Sequence, residues 1–423
     1  MLENNFQPST RTVYTWNDNA TEPFEVFNIS LACNHCENPV CLSGCPAKAY
    51  VKDESGVVIH YPERCMGCGY CTWRCPYDAP KINESKGYIE KCHFCYQRKE
   101  EGIDPACVTA CPTGAISIVY EDEFPERASG WFPETGIGPS VKIKGVNQRK
   151  PVIIPGEQTE AEPVLTAGTD KIRKEWSLIV FSSLVMLASS VIISSYFSDV
   201  ILFKGTVAVL LAFSVFISFV HLGVSSKAWR APLHFISSPL SREIILVSLL
   251  AVLSVLDYFR LLQLPPLLMP VLALITLISV DLVYFSVDRS LSLKLHSGQT
   301  FFSSLLAVSL LTASINSFIV FTFLAAVSIV YRYKTLPATK SIRNIYYYRA
   351  LTLPFTLMLL YFRPDTPVAF IASILLMLTG VVADRVLFYF DFKPENVREK
   401  ITEHFISEYE KERDKQRQDA GIS

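Results

Sequence analysis

Several features are scarce in this 423-residue chain, and each scarcity excludes a class of protein. Only 19% of the residues are charged and the mean hydropathy is positive, which is unusual for a soluble protein and indicates that part of the chain lies in lipid. The formal net charge is −1, so the composition gives no reason to expect a nucleic acid partner. No cysteine follows Cys111, so disulfides do not staple the long C-terminal part.

The first residues also lack a recognisable targeting signal. They contain neither the basic patch, apolar core and small-residue cleavage site of a secretory signal nor a twin-arginine motif. We therefore expect any export of the chain to depend on a partner.

All twelve cysteines lie between Cys33 and Cys111, in three groups that each end in Cys-Pro. The middle group has the spacing CxxCxxCxxxCP, which is typical of iron–sulfur proteins. It consists of Cys65, Cys68, Cys71 and Cys75, followed by Pro76. Disulfide cysteines do not cluster in this way, so we interpret these residues as reduced thiolate ligands.

The spacing also predicts which cysteines share a cluster. In two-cluster ferredoxins, the first three cysteines of a group bind one cluster and the fourth, before proline, binds the neighbouring cluster. The first predicted set is Cys33, Cys36, Cys41 and Cys75, and the second is Cys65, Cys68, Cys71 and Cys45. The third group, with a wide gap after its second cysteine, has enough ligands for one more cluster; it comprises Cys92, Cys95, Cys107 and Cys111. Zinc is the alternative for each group, since paired CxxC knuckles also form structural zinc sites.

Composition divides the chain into four parts. Residues 1–120 are expected to form an α+β ferredoxin-like iron–sulfur domain, whose short apolar runs leave much of its stability to metal centres. Residues 121–170 are rich in Pro, Gly, Glu and Lys, which predicts an irregular strap or linker. Residues 171–392 are expected to form an all-α polytopic membrane anchor, and residues 393–423 a charged tail, either a surface helix or disordered.

The anchor region contains several apolar stretches near the length of about 20 residues that a bilayer requires. They are Trp176–Phe197, Phe203–Gly223, Glu243–Gln263, Pro265–Val287, Phe301–Val330, Tyr348–Tyr361 and Pro367–Phe390. Because Phe301–Val330 is free of charge and too long for one span, we divide it near Asn316. The prediction is therefore about eight transmembrane helices.

The cysteine groups resemble a known family. The resemblance, over about residues 10 to 120, is carried by CNHCENPVCLSGCPAKAY, CMGCGYCTWRCPYDAP and KCHFCYQRKEEGIDPACVTACPTGAI. These segments resemble the iron–sulfur electron-transfer subunit of the dimethyl sulfoxide reductase family, which implies electron transfer to a separate molybdopterin-containing catalytic subunit. The family usually carries a further cysteine group near the N-terminus and four [4Fe-4S] clusters. No cysteine precedes Cys33 here, so we expect three [4Fe-4S] clusters, with the third group closing its own cluster or borrowing a ligand.

A second resemblance follows the predicted second helix. The segment HLGVSSKAWRAPLHFISSPLSREI is similar to the membrane anchor subunit of the same family, and the eight-helix layout and a late arginine also fit. This implies that electron-transfer and anchor subunits, normally separate chains, are fused here. Because the family's anchor oxidises a quinol, the resemblance also implies menaquinol and menaquinone as cofactors and a role in anaerobic respiration.

Ionisable residues near the ends of the even-numbered helices are candidates for a quinol site. If the first helix leaves the cluster side, these ends bring His221, Asp281, Arg332, Asp384 and Arg385 to the cluster side of the membrane. Quinol oxidation releases two protons with two electrons, so His221 is the expected proton acceptor, Asp281 the relay and Arg385 a further site residue. The alternatives are an interfacial role for His221, helix pairing for Asp281, and snorkelling of Arg332 and Arg385 to lipid headgroups.

The loops predicted on the cluster side are richer in Lys and Arg than the opposite loops. They contain Lys171, Arg173, Lys174, Lys227, Arg230, Arg242, Arg289, Lys294, Lys334, Lys340, Arg343 and Arg349. The opposite loops contain Lys204, Arg260 and Arg363. By the positive-inside rule this predicts a multi-pass cell-membrane protein with a cytoplasmic iron–sulfur domain. The resemblance implies the extracytoplasmic side as the alternative, because many family members are exported with a twin-arginine partner.

The main hypothesis is a fused electron-transfer and quinol-oxidising component of a molybdopterin oxidoreductase complex. The chain then carries the quinol half-reaction, and the terminal substrate is determined by the catalytic partner. One alternative reverses the flow, with a dehydrogenase or hydrogenase partner reducing quinone. Another is a membrane-anchored zinc scaffold without redox activity.

Overall fold

The structure is a computed structural model of the chain. It describes residues 10–16, 27–119, 135–141, 164–197, 204–287, 299–312, 340–362, 367–392 and 397–419, together with a few positions between 319 and 330. The chain divides into two compact units. The first, called the cysteine-rich unit, comprises Met1–Ala161 and Pro394–Ser423. The second, called the helical unit, comprises Glu162–Lys393.

Three antiparallel two-stranded sheets form the frame of the cysteine-rich unit. They pair β1 (Thr12–Trp16) with β2 (Phe27–Leu31), β3 (Tyr50–Lys52) with β4 (Val58–His60), and β5 (Lys81–Asn83) with β6 (Tyr88–Glu90). The turn of the second hairpin contains Gly56 and that of the third Gly87, both with positive φ, a conformation that glycine adopts at little cost. Each hairpin directly precedes one cysteine group, so the sheets set the starting point of each ligand loop.

Short helices contain or directly follow later cysteines of the groups. They are α1 (Val40–Gly44), α2 (Tyr70–Arg74), α3 (Tyr96–Glu100) and α4 (Ala106–Thr109). Cys45 and Cys75 cap the C-terminal ends of α1 and α2 with extended backbone, at ψ 113° and 110°. A residue before proline is pushed out of the helical region, so Pro46 and Pro76 end each helix at its cysteine.

The C-terminal helix α12 (Val397–Asp419) is part of the cysteine-rich unit. Val397 and Ile401 are buried in one core with Trp16, Ile29 and other apolar residues of this unit. The indole N–H of Trp16 donates a hydrogen bond of 3.0 Å to the Thr402 hydroxyl. The tail, predicted as a surface helix or a disordered segment, is thus a helix with one buried stripe.

Part of the predicted strap also packs on the first cysteine loop. Ile137 belongs to the same core as Trp16. The backbone N–H of Glu37 donates to the Gly138 carbonyl at 2.7 Å, and that of Asn38 to the Ile137 carbonyl at 3.0 Å. Residues 135–141 therefore hold the loop that contains Cys36.

The helical unit consists of long helices around a central one. They are α5 (Val164–Phe197), α6 (Lys204–Val220), a 3₁₀ helix (Ser225–His234), α7 (Pro239–Tyr258), α8 (Leu268–Phe285), α9 (Gln299–Leu311), α10 (Lys340–Phe362) and α11 (Pro367–Asp391). The helix α5 packs against α6, α8, α9 and α11. It begins at Val164, so the last residues of the segment predicted as irregular, residues 164–170, are helical instead.

Small hydroxyl side chains allow these helices to approach each other closely. In α5, Ser183, Ser190 and Ser194 are buried, and each donates to the carbonyl four residues earlier, at 2.6 to 2.8 Å. In an apolar surrounding such back-bonding satisfies the hydroxyl without a partner helix. Small residues at helix contacts are typical of packing within lipid, where backbones must come near to gain dispersion energy.

Four helices in the described residues are long and apolar enough to cross a membrane. They are Ile172–Phe197, Pro239–Tyr258, Leu268–Phe285 and Ala372–Phe390, and the number rises to five if Lys204–Val220 and Ser225–His234, bent by 107°, count as one span. These helices cover the first four and the last of the predicted apolar stretches. The predicted division near Asn316 lies outside the described residues, and Tyr348–Tyr361 lies within α10, which contains Pro354.

Candidate functional site

Two cavities in the cysteine-rich unit are each lined by four cysteines. The first encloses about 350 Å³ of atom-free space, part of it open to solvent. Its cysteines are Cys33, Cys36, Cys41 and Cys75. The second encloses about 290 Å³, and its cysteines are Cys45, Cys65, Cys68 and Cys71. The structure thus brings together the two sets that the spacing predicts, with Cys45 and Cys75 each contributing to the cavity of the other group.

The thiols stand around these cavities and do not meet at a point. Among the residues that the structure describes, no three Cys, His, Asp or Glu side chains converge closely enough to share a single metal ion. Four soft sulfur donors around an apolar space are the ligand set of an iron–sulfur cluster. The residues present therefore fit a multi-atom cluster in each cavity.

Burial changes the acid–base properties of these thiols. Burial, followed by the charges of neighbouring thiols, raises the pKa of Cys36 to about 12, and burial also raises the pKa values of Cys45 and Cys75 to about 11. Only the thiolate binds a metal, so the ion must replace a firmly held proton.

Hydrogen-bond donors point at cysteine sulfurs in both cavities. The Tyr50 hydroxyl donates to Cys71 Sγ at 3.2 Å, and the backbone N–H of Ala49 donates to Cys45 Sγ at 3.3 Å. At the first cavity, the ammonium of Lys91 lies 3.5 Å from Cys33 Sγ. Donors to ligand sulfurs tune the potential of a cluster. Sequence reasoning missed these residues, because only their position inside the cysteine-rich segment could have marked them.

A buried histidine, His35, lies within the first cysteine group, next to Cys36. The backbone N–H of Val58 donates to His35 Nδ1 at 3.0 Å, and the edge of the His35 ring faces Phe94. Burial, assisted by the charge of Lys91, lowers the pKa of His35 to about 3. The imidazole is therefore neutral at physiological pH, which agrees with its role as a hydrogen-bond acceptor.

The third group is arranged differently from the first two. Cys92, Cys95, Cys107 and Cys111 are all partly exposed and line neither of the two cavities. Cys95 begins α3 in a left-handed conformation at φ 48°, and Cys107 lies in α4. The Thr113 hydroxyl, 3.6 Å from Cys111 Sγ, lowers the pKa of that exposed thiol. A third cluster at these residues remains a prediction.

In the helical unit, Asp281 of α8 and Arg385 of α11 lie side by side. Both are buried, and Arg385 Nη2 lies 3.6 Å from Asp281 Oδ1. The other oxygen of Asp281 accepts the backbone N–H of Phe301 at 3.0 Å. Glu243 of α7 is also buried and interacts electrostatically with this pair. Two buried carboxyl groups therefore interact with one buried guanidinium, and only that of Asp281 is within ion-pair distance.

His221 lies just after α6 and pairs with a different acid. Its Nδ1 is 3.5 Å from Glu175 Oε2 of α5. Glu175 interacts electrostatically with Tyr284 and Tyr389, whose hydroxyls are hydrogen-bonded to each other and which also interact with Arg385. Polar groups thus extend from His221 to Arg385 through the helical unit. Glu175, Glu243 and the two tyrosines were not predicted as site residues, because no sequence motif marks them and their partners lie on other helices.

The remaining predicted ionisable residues have other positions. Asp384 forms a buried ion pair with Arg349, whose Nε is 2.7 Å from Asp384 Oδ2. Arg349 was counted as a loop charge, but it lies inside α10 and is buried, so this assignment was wrong. Arg349 lies at the start of the predicted apolar stretch Tyr348–Tyr361, and only its tertiary partner Asp384 reveals its burial. Arg332 lies outside the described residues.

Comparison with known proteins identifies the cysteine-rich segment. Residues 24–121 match the family model described as a 4Fe-4S dicluster domain. The segment is 44% identical over 101 residues to the B component of anaerobic dimethyl sulfoxide reductase from Escherichia coli K12, which covers 24% of this chain and 49% of that protein. It is 47% identical over 96 residues to the B component of tetrathionate reductase from Salmonella typhimurium, which covers 22% and 38%. It is 43% identical over 97 residues to the iron-sulfur subunit of nitrate-inducible formate dehydrogenase from Escherichia coli K12, which covers 23% and 33%.

The matched region spans about half or less of the length of these relatives. It includes all three cysteine groups and ends before the helical unit. The resemblance of the cysteine groups to iron–sulfur subunits is confirmed for this segment.

Proposed function

We propose that this chain is the electron-transfer and membrane-anchor component of a molybdopterin oxidoreductase complex. In this role it oxidises menaquinol in the membrane and passes electrons through [4Fe-4S] clusters to a separate catalytic subunit. One observation supports the proposal most strongly. A single polypeptide combines two cavities lined by four cysteines each with an apolar helical unit that buries acidic and basic side chains.

The cysteines would hold the metal centres. Cys33, Cys36, Cys41 and Cys75 would hold one [4Fe-4S] cluster, and Cys45, Cys65, Cys68 and Cys71 a second. The third group, Cys92, Cys95, Cys107 and Cys111, would hold another near the surface. When bound, such clusters accept and donate single electrons without a change of protein structure. The protein supplies buried thiolates, an apolar wall and hydrogen bonds to sulfur.

The quinol site is proposed at His221, Asp281 and Arg385. Oxidation of a quinol removes two electrons and two protons, so the site needs two side chains that accept the protons in place of water. His221, held by Glu175, accepts one proton, and the Asp281–Arg385 pair with Glu243 accepts the other. Burial of ionisable groups in lipid is costly, which is why a functional role is the default expectation for them.

The proposal includes a multi-pass topology of about eight helices with the cysteine-rich unit in the cytoplasm. This topology is supported by four or five helices in the described residues that are long and apolar enough to be such spans. Removing Arg349 from the loop charges leaves Lys and Arg in clear excess on the cluster side.

Variants of His221 test the proposed quinol site. In isolated membranes, a menaquinol analogue should reduce the clusters of the unaltered protein, and His221→Ala should slow this reduction at least about a hundredfold, the usual loss when a general base is removed. Iron content should not change. His234→Ala is the matched control, since His234 lies in the following 3₁₀ helix, and it should reduce at the normal rate. Equal rates in all three proteins would refute the site.

The reverse direction of electron flow is a second candidate. It is supported by the match to the iron-sulfur subunit of a formate dehydrogenase. Redox titration of the clusters against the menaquinone couple separates the two directions. Clusters with potentials below that couple favour quinone reduction, and clusters above it favour quinol oxidation.

A zinc scaffold is the candidate outside redox chemistry. Anaerobic purification followed by metal analysis decides it, because each cluster contributes about four irons per chain and a zinc knuckle contributes none. A brown protein with iron and acid-labile sulfide excludes the scaffold.

A further inference from the structure

Lys91 is a buried cation at the wall of the first cavity. It follows β6, precedes Cys92, and its side chain is only 5% exposed. Lysine is almost never this buried unless its charge is compensated. The positive charge of Lys91 therefore requires a compensating group nearby.

The ammonium group of Lys91 has three N–H donors, and three acceptors surround it. They are the Val58 carbonyl at 2.5 Å, the Cys92 carbonyl at 2.9 Å and Cys33 Sγ at 3.5 Å. Two of them are neutral backbone groups on different chain segments, and together they fix the nitrogen in place. The third donor is thereby directed at a ligand sulfur. None of these three acceptors is a carboxylate, so none of them neutralises the positive charge of Lys91. The charge therefore acts on the cavity.

The nearby acidic group of Asp78 interacts electrostatically with Cys75, but it is paired with Lys81 and does not line the cavity. His35 accepts a hydrogen bond from the Val58 N–H and is neutral. The other lining side chains of the cavity, apart from the cysteines, are apolar or neutral. The first cavity is therefore lined by one fixed positive charge.

The lining of the second cavity carries no such charge. Its lining residues besides the cysteines are Pro46, Ala47, Tyr50, Met66, Gly69 and Ile89. The Tyr50 hydroxyl and the Ala49 N–H, which donate to its sulfurs, are both neutral. Charge-assisted hydrogen bonds are about twice as strong as neutral ones, so the two sites differ in electrostatics although their ligand spacing is similar.

We propose that Lys91 is a positioning residue that raises the reduction potential of the Cys33/Cys36/Cys41/Cys75 cluster above that of the Cys45/Cys65/Cys68/Cys71 cluster. Reduction adds one negative charge to a cluster, and a fixed cation in a low-dielectric wall stabilises that added charge. Because Lys91 also binds the Cys92 carbonyl, it lies between the first cluster and the third group. This inference depends on the cluster assignment of the proposed function.

Potentiometric titration with electron paramagnetic resonance detection tests the inference. Lys91→Met removes the charge and keeps an unbranched apolar stem. At the midpoint potential of the unaltered first cluster, the ratio of reduced to oxidised cluster should fall at least about tenfold in this variant, or about 59 mV for a one-electron couple. The second cluster should change less than about twofold. Lys86→Met, which removes an exposed charge from the same hairpin, is the control and should change neither cluster.

Two further variants keep the test decisive if Lys91→Met does not fold. Lys91→Gln removes the charge but keeps an amide donor for the carbonyls, and Lys91→Arg keeps the charge. Lys91→Gln should lower the potential of the first cluster as much as Lys91→Met does, and Lys91→Arg should leave it near the original value. The inference is overturned if Met or Gln retains iron with an unchanged first potential, if both clusters shift equally, or if Met and Gln lose iron while Arg does not. These results leave the proposed function intact, whereas a protein without iron–sulfur clusters would overturn the proposed function itself.

Discussion

At the scale of single residues, the Cys-Pro steps at Cys45 and Cys75 determine which cavity each of these two cysteines lines. Cys45 and Cys75 end their helices in extended conformation, and each lies at the cavity of the other group. The two sites are therefore coupled through α1 and α2, which pack closely at Gly44. A Cβ at that position would lie 2.8 Å from the Arg74 side chain.

Cys75→Ser tests this exchange of ligands. Because Cys75 lines the first cavity although it belongs to the second group in sequence, the variant should alter or lose the first cluster and leave the second unchanged. Electron paramagnetic resonance spectra of the reduced protein, with iron analysis, measure this. Cys45→Ser is the reciprocal variant and should affect only the second cluster. Spectra in which Cys75→Ser changes the cluster of its own sequence group would contradict the arrangement.

Sequence spacing predicts which cysteines line the same cavity, because two or three residues between cysteines can adopt few backbone conformations. A proline after the last cysteine excludes most of these conformations. The partners of Lys91, Tyr50 and Glu175 could not be predicted in the same way. Their contacts join segments far apart in the chain, and a lone Lys, Tyr or Glu carries no periodic signal.

At the scale of secondary structure, the packing of helix α12 constrains the membrane topology of the chain. It follows α11 of the helical unit, yet its residues Val397 and Ile401 pack in the core of the cysteine-rich unit. The helical unit is therefore inserted between two parts of the same domain. The amphipathic stripe of α12 is narrow among 23 mostly charged or polar residues, so the sequence indicates a surface helix without indicating its partner.

This insertion predicts an even number of membrane crossings. The N-terminal part and the tail must lie on the same side of the bilayer, since they share one core. Reporters fused after Ser423, one active only in the cytoplasm and one only outside, should place the tail in the cytoplasm with the cysteine-rich unit. Truncations ending in the loop after α6 or α8 serve as internal controls. A tail on the opposite side from Cys95, as detected with an impermeant thiol reagent, would exclude the even count.

At the scale of the whole molecule, the chain joins two environments that suit two halves of one reaction. The cysteine-rich unit offers two cavities lined by cysteine sulfurs, and its buried His35 is neutral. The helical unit offers buried acids and bases, and its described residues contain no cysteine. Electrons and protons of a quinol would therefore follow different residues. Hydropathy predicts the apolar helices, but the pairing of Asp281 with Arg385 and of His221 with Glu175 depends on which helices surround α5.

The most direct test of the central claim is cluster reduction by a quinol in the purified chain without any partner. The oxidised protein, in detergent and without oxygen, is mixed with a menaquinol analogue while the visible absorption of the clusters is followed. We predict bleaching that approaches the level reached with dithionite, with up to about one electron taken up per cluster. Clusters that dithionite reduces but the quinol analogue leaves oxidised, at a potential that permits reduction, would contradict the account.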